Sequence, residues 1–324
     1  MVAINKKKTG HATWYKDFFR WFDNESGDLP SKGVGTDQLR IDWVRLFPFI
    51  GLHLGCFAVL WVGVSTTAVL IAVALYVLRM FAITGFYHRY FSHRAFRTSR
   101  PAQFLFALLA ASAVQRGPLW WASHHRHHHR HADMPDDAHS ARQHGFLWSH
   151  TGWFFARQNF ATRLALVSDL VRYPELNFLD RYDALVPLIL AISLYVLGEL
   201  LAGIAPALGT DGLQLLVWGL CISTVALYQA TFSINSLAHR FGKRRYATTD
   251  DSRNNVWLAL LTLGEGWHNN HHHFPGAARQ GFYWWEIDLT YYGLRLLALL
   301  GVIWDLRELP VNMREARRLV EPGR

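Results

Sequence analysis

Apolar residues in this chain gather into four long runs, with polar sequence before, between and after them. The runs are Leu46–Ser65, Thr67–Phe86, Ala184–Leu208 and Leu213–Ile234. A helix rises about 1.5 Å per residue, so about 20 apolar residues cross the hydrocarbon core of a bilayer. Each run therefore predicts a transmembrane helix, with Arg79 near the end of the second and Glu199 in the last third of the third. The runs pair as two hairpins, separated by a long polar stretch. The pattern predicts an all-α integral membrane protein with four transmembrane helices. One domain is expected over residues 1–324, with a helical cap formed by 87–183 and 235–324.

Two further apolar stretches are too short to span. Gln103–Val114 is about a dozen residues, and Leu294–Ile303 contains Arg295 with Glu286, Asp288 and Asp305 on its flanks. Both read as interfacial or re-entrant amphipathic helices. Trp120-Trp121 and Tyr283-Trp284-Trp285 suit the headgroup level.

Lysine and arginine fix the expected orientation. Eight lie in Met1–Arg45, twelve in His88–Arg181 and twelve in Arg240–Arg324, leaving only Arg79 inside a run. The short connections around Thr66 and from Gly198 to Gly212 contain none. By the positive-inside tendency both termini and the cap are cytoplasmic, with a bacterial inner membrane as the expected location. The net charge of +9 is then topology and lipid headgroup contact, not nucleic-acid binding. Met1–Arg45 is polar and basic without a continuous apolar core, so no secretory signal is expected.

Charged residues make up 18% of the chain and hydrophobic ones 51%, which excludes a disordered chain. The two cysteines, Cys56 and Cys221, sit in apolar runs, which rules out a disulfide framework or a cysteine metal site. The anomaly is 18 histidines.

Those histidines fall into groups beside the predicted helix ends. His88 and His93 follow the second run. His124, His125, His127, His128, His129 and His131 stand in the middle segment. Asn235 and His239 follow the fourth run, and His268, His271, His272 and His273 lie near the end. Residues at i, i+3 and i+4 share a helix face, a spacing met by His125, His128 and His129 and again by His268, His271 and His272. Asn235 and His239 share a face by the same rule. His88 and His93 are five apart and diverge by about 140° on a regular helix, so local unwinding or a helix end is expected there. Neutral imidazole suits iron, zinc, copper or nickel, and the scarcity of carboxylates disfavours calcium or magnesium. Nine histidines are too many for one ion and enough for two.

These strings resemble the membrane fatty acyl desaturases. The match is to the delta-9 acyl-CoA, stearoyl-CoA desaturase-like branch, in its bacterial form without a cytochrome b5 domain. It runs from about Leu46 to Leu306 and rests on Tyr87-His-Arg-Tyr-Phe-Ser-His93, the box around His125, Asn235-Ser-Leu-Ala-His239, and Gly264-Glu-Gly-Trp-His-Asn-Asn-His-His-His-Phe-Pro275. The resemblance implies a di-iron centre using O2 as co-substrate. One iron would take His88, His93, His129 and His272, with Asn235 through water. The other would take His125, His128, His239, His268 and His271. It also implies a kinked acyl tunnel lined by Gln115, Trp121 and Thr231, with Phe232 where animal members carry Trp. Two electrons would come from a separate donor such as ferredoxin, rubredoxin or cytochrome b5 with its reductase.

The activity so implied is insertion of a cis double bond at delta-9 of a saturated fatty acyl-CoA. A phospholipid acyl-chain desaturase and a fatty acyl hydroxylase are the rivals within the class. From another class, the rival is a non-enzymatic, histidine-rich metal-binding membrane protein. A transporter is disfavoured because the runs carry few ionisable residues: His53, Arg79 and Glu199. His53 reads as a neutral residue bonded to a neighbouring helix. His127 lies off the ligand face. His139, His144, His150, Asp133, Asp136, Asp137 and Glu265 are candidates for orienting ligand imidazoles, with plain cap packing or a turn at Pro135 as the alternative. Lys243-Arg244-Arg245 is a basic cluster open to phosphate, an acyl carrier or an acidic partner.

Overall fold

A computed structural model describes residues 19–25 and 40–319. Four of its helices are long and apolar enough to cross a membrane: α1 (Trp43–Val62), α2 (Thr66–Ser92), and, after the middle segment, Leu185–Ile204 and Gly212–Ser236. Three match the sequence runs to within a few residues. The second is longer than its apolar run, ending at Ser92 and not at Phe86.

The extension has a physical cause. From Ala82 to Ser92 the helix widens to the i→i+5 hydrogen-bond pattern of a π-helix, and every residue in that segment is buried. His93 N donates to His88 O at 3.3 Å, closing a five-residue turn. Residues five apart thereby face the same way. The expected irregularity around His88 and His93 is this widened turn, a form that recurs at functional sites.

The middle segment supplies α3 (Arg100–Ala111), α4 (Pro118–His131) and α5 (Pro174–Arg181). It then returns to the hairpin of α6 (Leu185–Ile204) and α7 (Gly212–Ser236). At 12 residues, α3 spans about 18 Å, well short of the hydrocarbon core. Beyond α7 come α8 (Val256–Leu261), α9 (His268–His273) and α10 (Leu289–Leu299). The stretch expected as one interfacial helix over Leu294–Ile303 is divided. Its first part belongs to α10, and Ile303 starts a two-residue strand, β2 (Ile303–Trp304), antiparallel to β1 (Arg97–Thr98).

The two short connections meet at one end of the bundle. Ser65 Oγ donates to Gln214 Oε1 at 2.6 Å, Thr67 Oγ1 to Leu208 O at 3.0 Å, and Trp218 Nε1 to Gly63 O at 3.0 Å. Half-way along, Arg79 locks α2 to α7: its guanidinium donates to Thr224 Oγ1 and Ser223 Oγ, both at 2.7 Å. It is fully buried, so these hydroxyls and nearby carbonyls replace the water it would otherwise need. The opposite end of the bundle carries the cap and every histidine group.

Candidate metal centre

The cap brings the nine predicted histidine ligands together in two clusters. His88, His93, His125, His129 and His271 form the first; His128, His239, His268 and His272 form the second. Within the first, Nε2 of His88 and His271 are 3.0 Å apart, those of His93 and His125 are 2.8 Å, and those of His129 and His271 are 2.9 Å. In the second, Nε2 of His239 and His268 are 3.0 Å apart. A metal with nitrogen ligands at about 2.1 Å and right-angle geometry places neighbouring nitrogens about 3.0 Å apart. The donor set therefore fits one metal ion per cluster.

This grouping differs from the division implied by the family resemblance. Here His125 and His271 lie with His88, His93 and His129, while His272 lies with His128, His239 and His268. The reason is helical geometry. On α4 the i, i+4 pair His125 and His129 shares one cluster, and on α9 the i, i+4 pair His268 and His272 shares the other. The intervening His128 and His271 each cross to the neighbouring cluster. Residues four apart are about 40° apart around the helix, and adjacent residues about 100°.

Carboxylates orient the rings. His128 Nδ1 donates to Asp137 Oδ2 at 3.0 Å, His239 Nδ1 to Asp133 Oδ2 at 2.9 Å, and His272 Nδ1 to Asp250 Oδ2 at 2.9 Å. In the first cluster His88 Nδ1 pairs with Glu265. A carboxylate on Nδ1 fixes the tautomer and leaves Nε2 free to ligate. His272 Nε2 is buried with no hydrogen-bond partner, as expected of an atom aimed at a metal. Asp133, Asp137 and Glu265 were candidates from sequence; Asp136 is exposed and takes no such part. Asp250 was missed. The only sequence signal for it is a polar Thr-Thr-Asp-Asp-Ser turn, 22 residues from the ring it holds.

Electrostatics favours neutral ligands. Burial, reinforced by neighbouring imidazoles, pushes His93, His125, His129, His268 and His271 well below the ordinary histidine range. Burial takes His272 down to about 4, Asp250 opposing it. His128 goes the other way: burial lowers it, but Asp137, with Asp133 and Asp250, more than offsets this and raises it.

The string between the last histidines explains itself in the fold. Asn269 Oδ1 accepts from the backbone N–H groups of Arg245 and Tyr246, both at 2.7 Å. Asn270 donates to Gln280 O and Glu286 Oε2, both at 2.9 Å. Both side chains are fully buried and anchor α9 in the cap. Gly266 passes so close to α8 that a Cβ would lie 2.1 Å from Ala259 N.

The other sequence candidates are placed as follows. Gln115 Nε2 donates to Thr231 Oγ1 at 2.8 Å, and Trp121 Nε1 faces Gln115 Oε1 at 3.5 Å. The Trp121 ring stacks on His125 at 5.1 Å, so this trio abuts the first cluster. Asn235 lies in the last turn of α7 ahead of His239, and its carbonyl accepts from Ser149 Oγ at 2.9 Å. His124 is buried between Trp120 and Trp153, and His127 stacks on His131 away from the clusters. His139 lies against the His128 ring at 4.2 Å. His144 packs on Trp148; His150 bonds Ser236 and Gln229; His53 bonds Phe49 O. Of the basic cluster, Arg245 turns inward to Glu286 and Arg244 to Thr248 O.

Comparison with known proteins decides the family. A sequence profile described as fatty acid desaturase matches residues 37–300. The chain belongs to the fatty acid desaturase family. Among its relatives, an sn-1 stearoyl-lipid 9-desaturase of Anabaena variabilis is 36% identical over 83% of this chain and 94% of its own. An sn-2 palmitoyl-lipid 9-desaturase of Nostoc is 38% identical over 67% of this chain and 73% of its own. An acyl-CoA 5-desaturase of Anemone leveillei is 35% identical over 87% and 86%. The two histidine clusters are thus the candidate redox centre of a desaturase, an oxidoreductase of lipid metabolism set on membrane-spanning helices.

Proposed function

We propose that this desaturase is an O2-dependent di-iron enzyme that inserts a cis double bond at delta-9 of a saturated acyl chain carried on CoA. The observation that carries this reading is the pair of adjacent all-imidazole clusters, three of whose nine rings are held by aspartates and one by Glu265. Imidazole donors suit iron. Bound iron supplies the oxidising power that removal of hydrogen from an unactivated methylene requires, since no side chain of ordinary pKa can take such a proton. Asn235, one turn ahead of His239, would act through water on the iron that the family resemblance gives to His88, His93, His129 and His272.

The chain's own residues do the positioning. Thr231 and Gln115 tie α7 to the segment before α4, and Trp121 presents a ring face beside His125. An acyl chain bent around this trio would bring two adjacent carbons to the first cluster and keep water from them. The metal centre and both termini would face the cytoplasm, with the electron donor a separate protein. A second reading, in which the acyl chain is bound to a glycerolipid, is favoured by the stearoyl-lipid and palmitoyl-lipid relatives.

The test is the fatty-acid profile of a host expressing the chain, by gas chromatography–mass spectrometry with double-bond localisation. New delta-9 monounsaturated chains, absent from a His128→Ala, His271→Ala variant, support the proposal. Hydroxylated chains, or no change in a host with iron-loaded protein and a working reductase, overturn it. Labelled stearoyl-CoA against labelled phosphatidylcholine in isolated membranes separates the two carriers.

A further inference from the structure

Helix α10 (Leu289–Leu299) has three faces, and one of them opens on a cleft that the metal centre does not use. Thr290 and Leu294 are buried against the core, where the Thr290 hydroxyl lies 2.7 Å from that of Thr84 on α2. The second face is apolar and exposed: Leu289, Tyr292, Leu296 and Leu299, the last at 79%. Trp284 and Trp285, just ahead of the helix, are exposed as well. Large apolar residues left bare along one side of a helix beside membrane spans mark contact with lipid. Tyr291 and Arg295, four apart, make the third face. At 100° per residue Arg295 stands about 40° from Leu299, so the polar face borders the lipid face directly.

Beside Tyr291 is a cleft of about 230 Å³, lined by Arg279, Arg307 and Arg314, with Tyr291 and Glu308 among its other walls. The Arg279 guanidinium lies over the Tyr291 ring at 5.5 Å and donates to Tyr283 O at 2.8 Å, while its Nε is buried without a partner. Arg295 reaches the Tyr291 hydroxyl at 3.4 Å. Arg279, Arg295 and Arg307 have no ion-pair partner among the described residues, and Arg307 is exposed with no side-chain hydrogen bond. Arg314 has a carboxylate outside the cleft, Glu315 at 3.5 Å. Glu308, the one acid in the lining, forms no ion pair with any of them. Four guanidinium groups in and beside one cleft thus outnumber its single carboxylate, at the edge of a lipid-facing surface.

We propose that this cleft holds the phosphate group of an anionic membrane lipid whose acyl chains lie against Leu296 and Leu299. The planar guanidinium fork matches phosphate oxygens in pairs. Pockets for larger organic ligands start at about 300 Å³, so the cleft takes a headgroup and leaves the chains outside. None of the lining residues belongs to either histidine cluster or to the Gln115, Trp121 and Thr231 trio. The lipid is therefore a bound partner of α10 and not the chain that reacts, and the site stands whatever the reaction.

The test is native mass spectrometry of the delipidated full chain, titrated with phosphatidylglycerol or phosphatidylcholine. One phosphatidylglycerol should bind the parent more tightly than phosphatidylcholine, whose choline cation the arginines repel. Arg295→Gln with Arg307→Gln should weaken phosphatidylglycerol binding by about tenfold or more and leave phosphatidylcholine unchanged. Arg130→Gln with Arg317→Gln removes the same formal charge elsewhere on the cap and should bind like the parent. Unchanged phosphatidylglycerol binding in the Arg295, Arg307 pair overturns the proposal. Equal weakening in both pairs overturns it too, since it shows general attraction to charge and no site. A thermal shift of the parent with inorganic phosphate alone, as large as that with phosphatidylglycerol, assigns the cleft to free phosphate and overturns the lipid. Should the double variant melt well below the parent, Arg307→Gln alone, at an exposed side chain without a partner, decides by the same titration.

Discussion

Asp133 and His239 stand 106 residues apart in sequence, yet His239 Nδ1 donates to Asp133 Oδ2 at 2.9 Å. The same carboxylate accepts from Ser140 Oγ at 2.7 Å and from the Asp251 backbone N–H at 2.8 Å. Although burial opposes its ionisation, these partners hold Asp133 well below the usual carboxylate range. One aspartate thereby fixes the segment after α4, the segment after α7 and the tautomer of a candidate ligand.

Asp133→Ala should lower metal affinity at the second cluster by about 10- to 100-fold, the usual cost of removing a partner of a ligating histidine. Chelator competition, read as metal released against chelator concentration, checks this. An affinity equal to the parent's would mean that the carboxylate supports the cap and not the ligand.

Acid should destabilise the metal-free protein. An unfolded histidine titrates near pH 6.5, whereas burial takes native His272 to about 4 and pushes the five rings around it well below the ordinary range. Between those values the unfolded chain binds more protons than the native one, so stability falls as pH drops from about 6.5 towards 4. Each such ring contributes a slope of up to about 1.4 kcal/mol per pH unit. Thermal melts of metal-free protein from pH 7.5 to 4.5 should show the midpoint falling steadily below pH 6.5. A flat profile contradicts the burial of these rings.

Gly266→Ala should abolish the folded cap, because its Cβ would overlap the backbone of α8 at Ala259 N. The readout is a shift from a monodisperse peak to aggregate in fluorescence-detected size exclusion. A folded, metal-loaded variant would show that α8 and the Gly264–Trp267 turn can separate.

Gln115→Leu removes the hydrogen bond to Thr231 and leaves that hydroxyl with only helix carbonyls as partners. The expected result is full metal content with product yield reduced several-fold and double-bond position less uniform, measured by product analysis. Unchanged product would place the acyl path elsewhere.

Much of this was legible in the sequence because it depends on local spacing. Four apolar runs gave the candidate spans, and three histidine boxes with Asn235-Ser-Leu-Ala-His239 gave the candidate ligands. The five-residue spacing of His88 and His93 called for irregular helix, but only the fold shows the π-helical turn that resolves it. Long-range pairing was not legible. Nothing near Asp250 points to His272, and the division of ligands between clusters depends on how α4 and α9 face each other across the cap. An i, i+3 reading and an i, i+4 reading of the same boxes are equally good sequence patterns; in the fold the i, i+4 pairs lie together.

The most direct test of the two-cluster account is iron counted per chain in protein loaded anaerobically with ferrous iron. Inductively coupled plasma mass spectrometry should find two irons in the parent. It should find about one in His93→Ala, His129→Ala, which empties the first cluster, and about one in His239→Ala, His268→Ala, which empties the second. A single iron in the parent, or a parent count that falls continuously under mild chelation without a plateau at two, would contradict it.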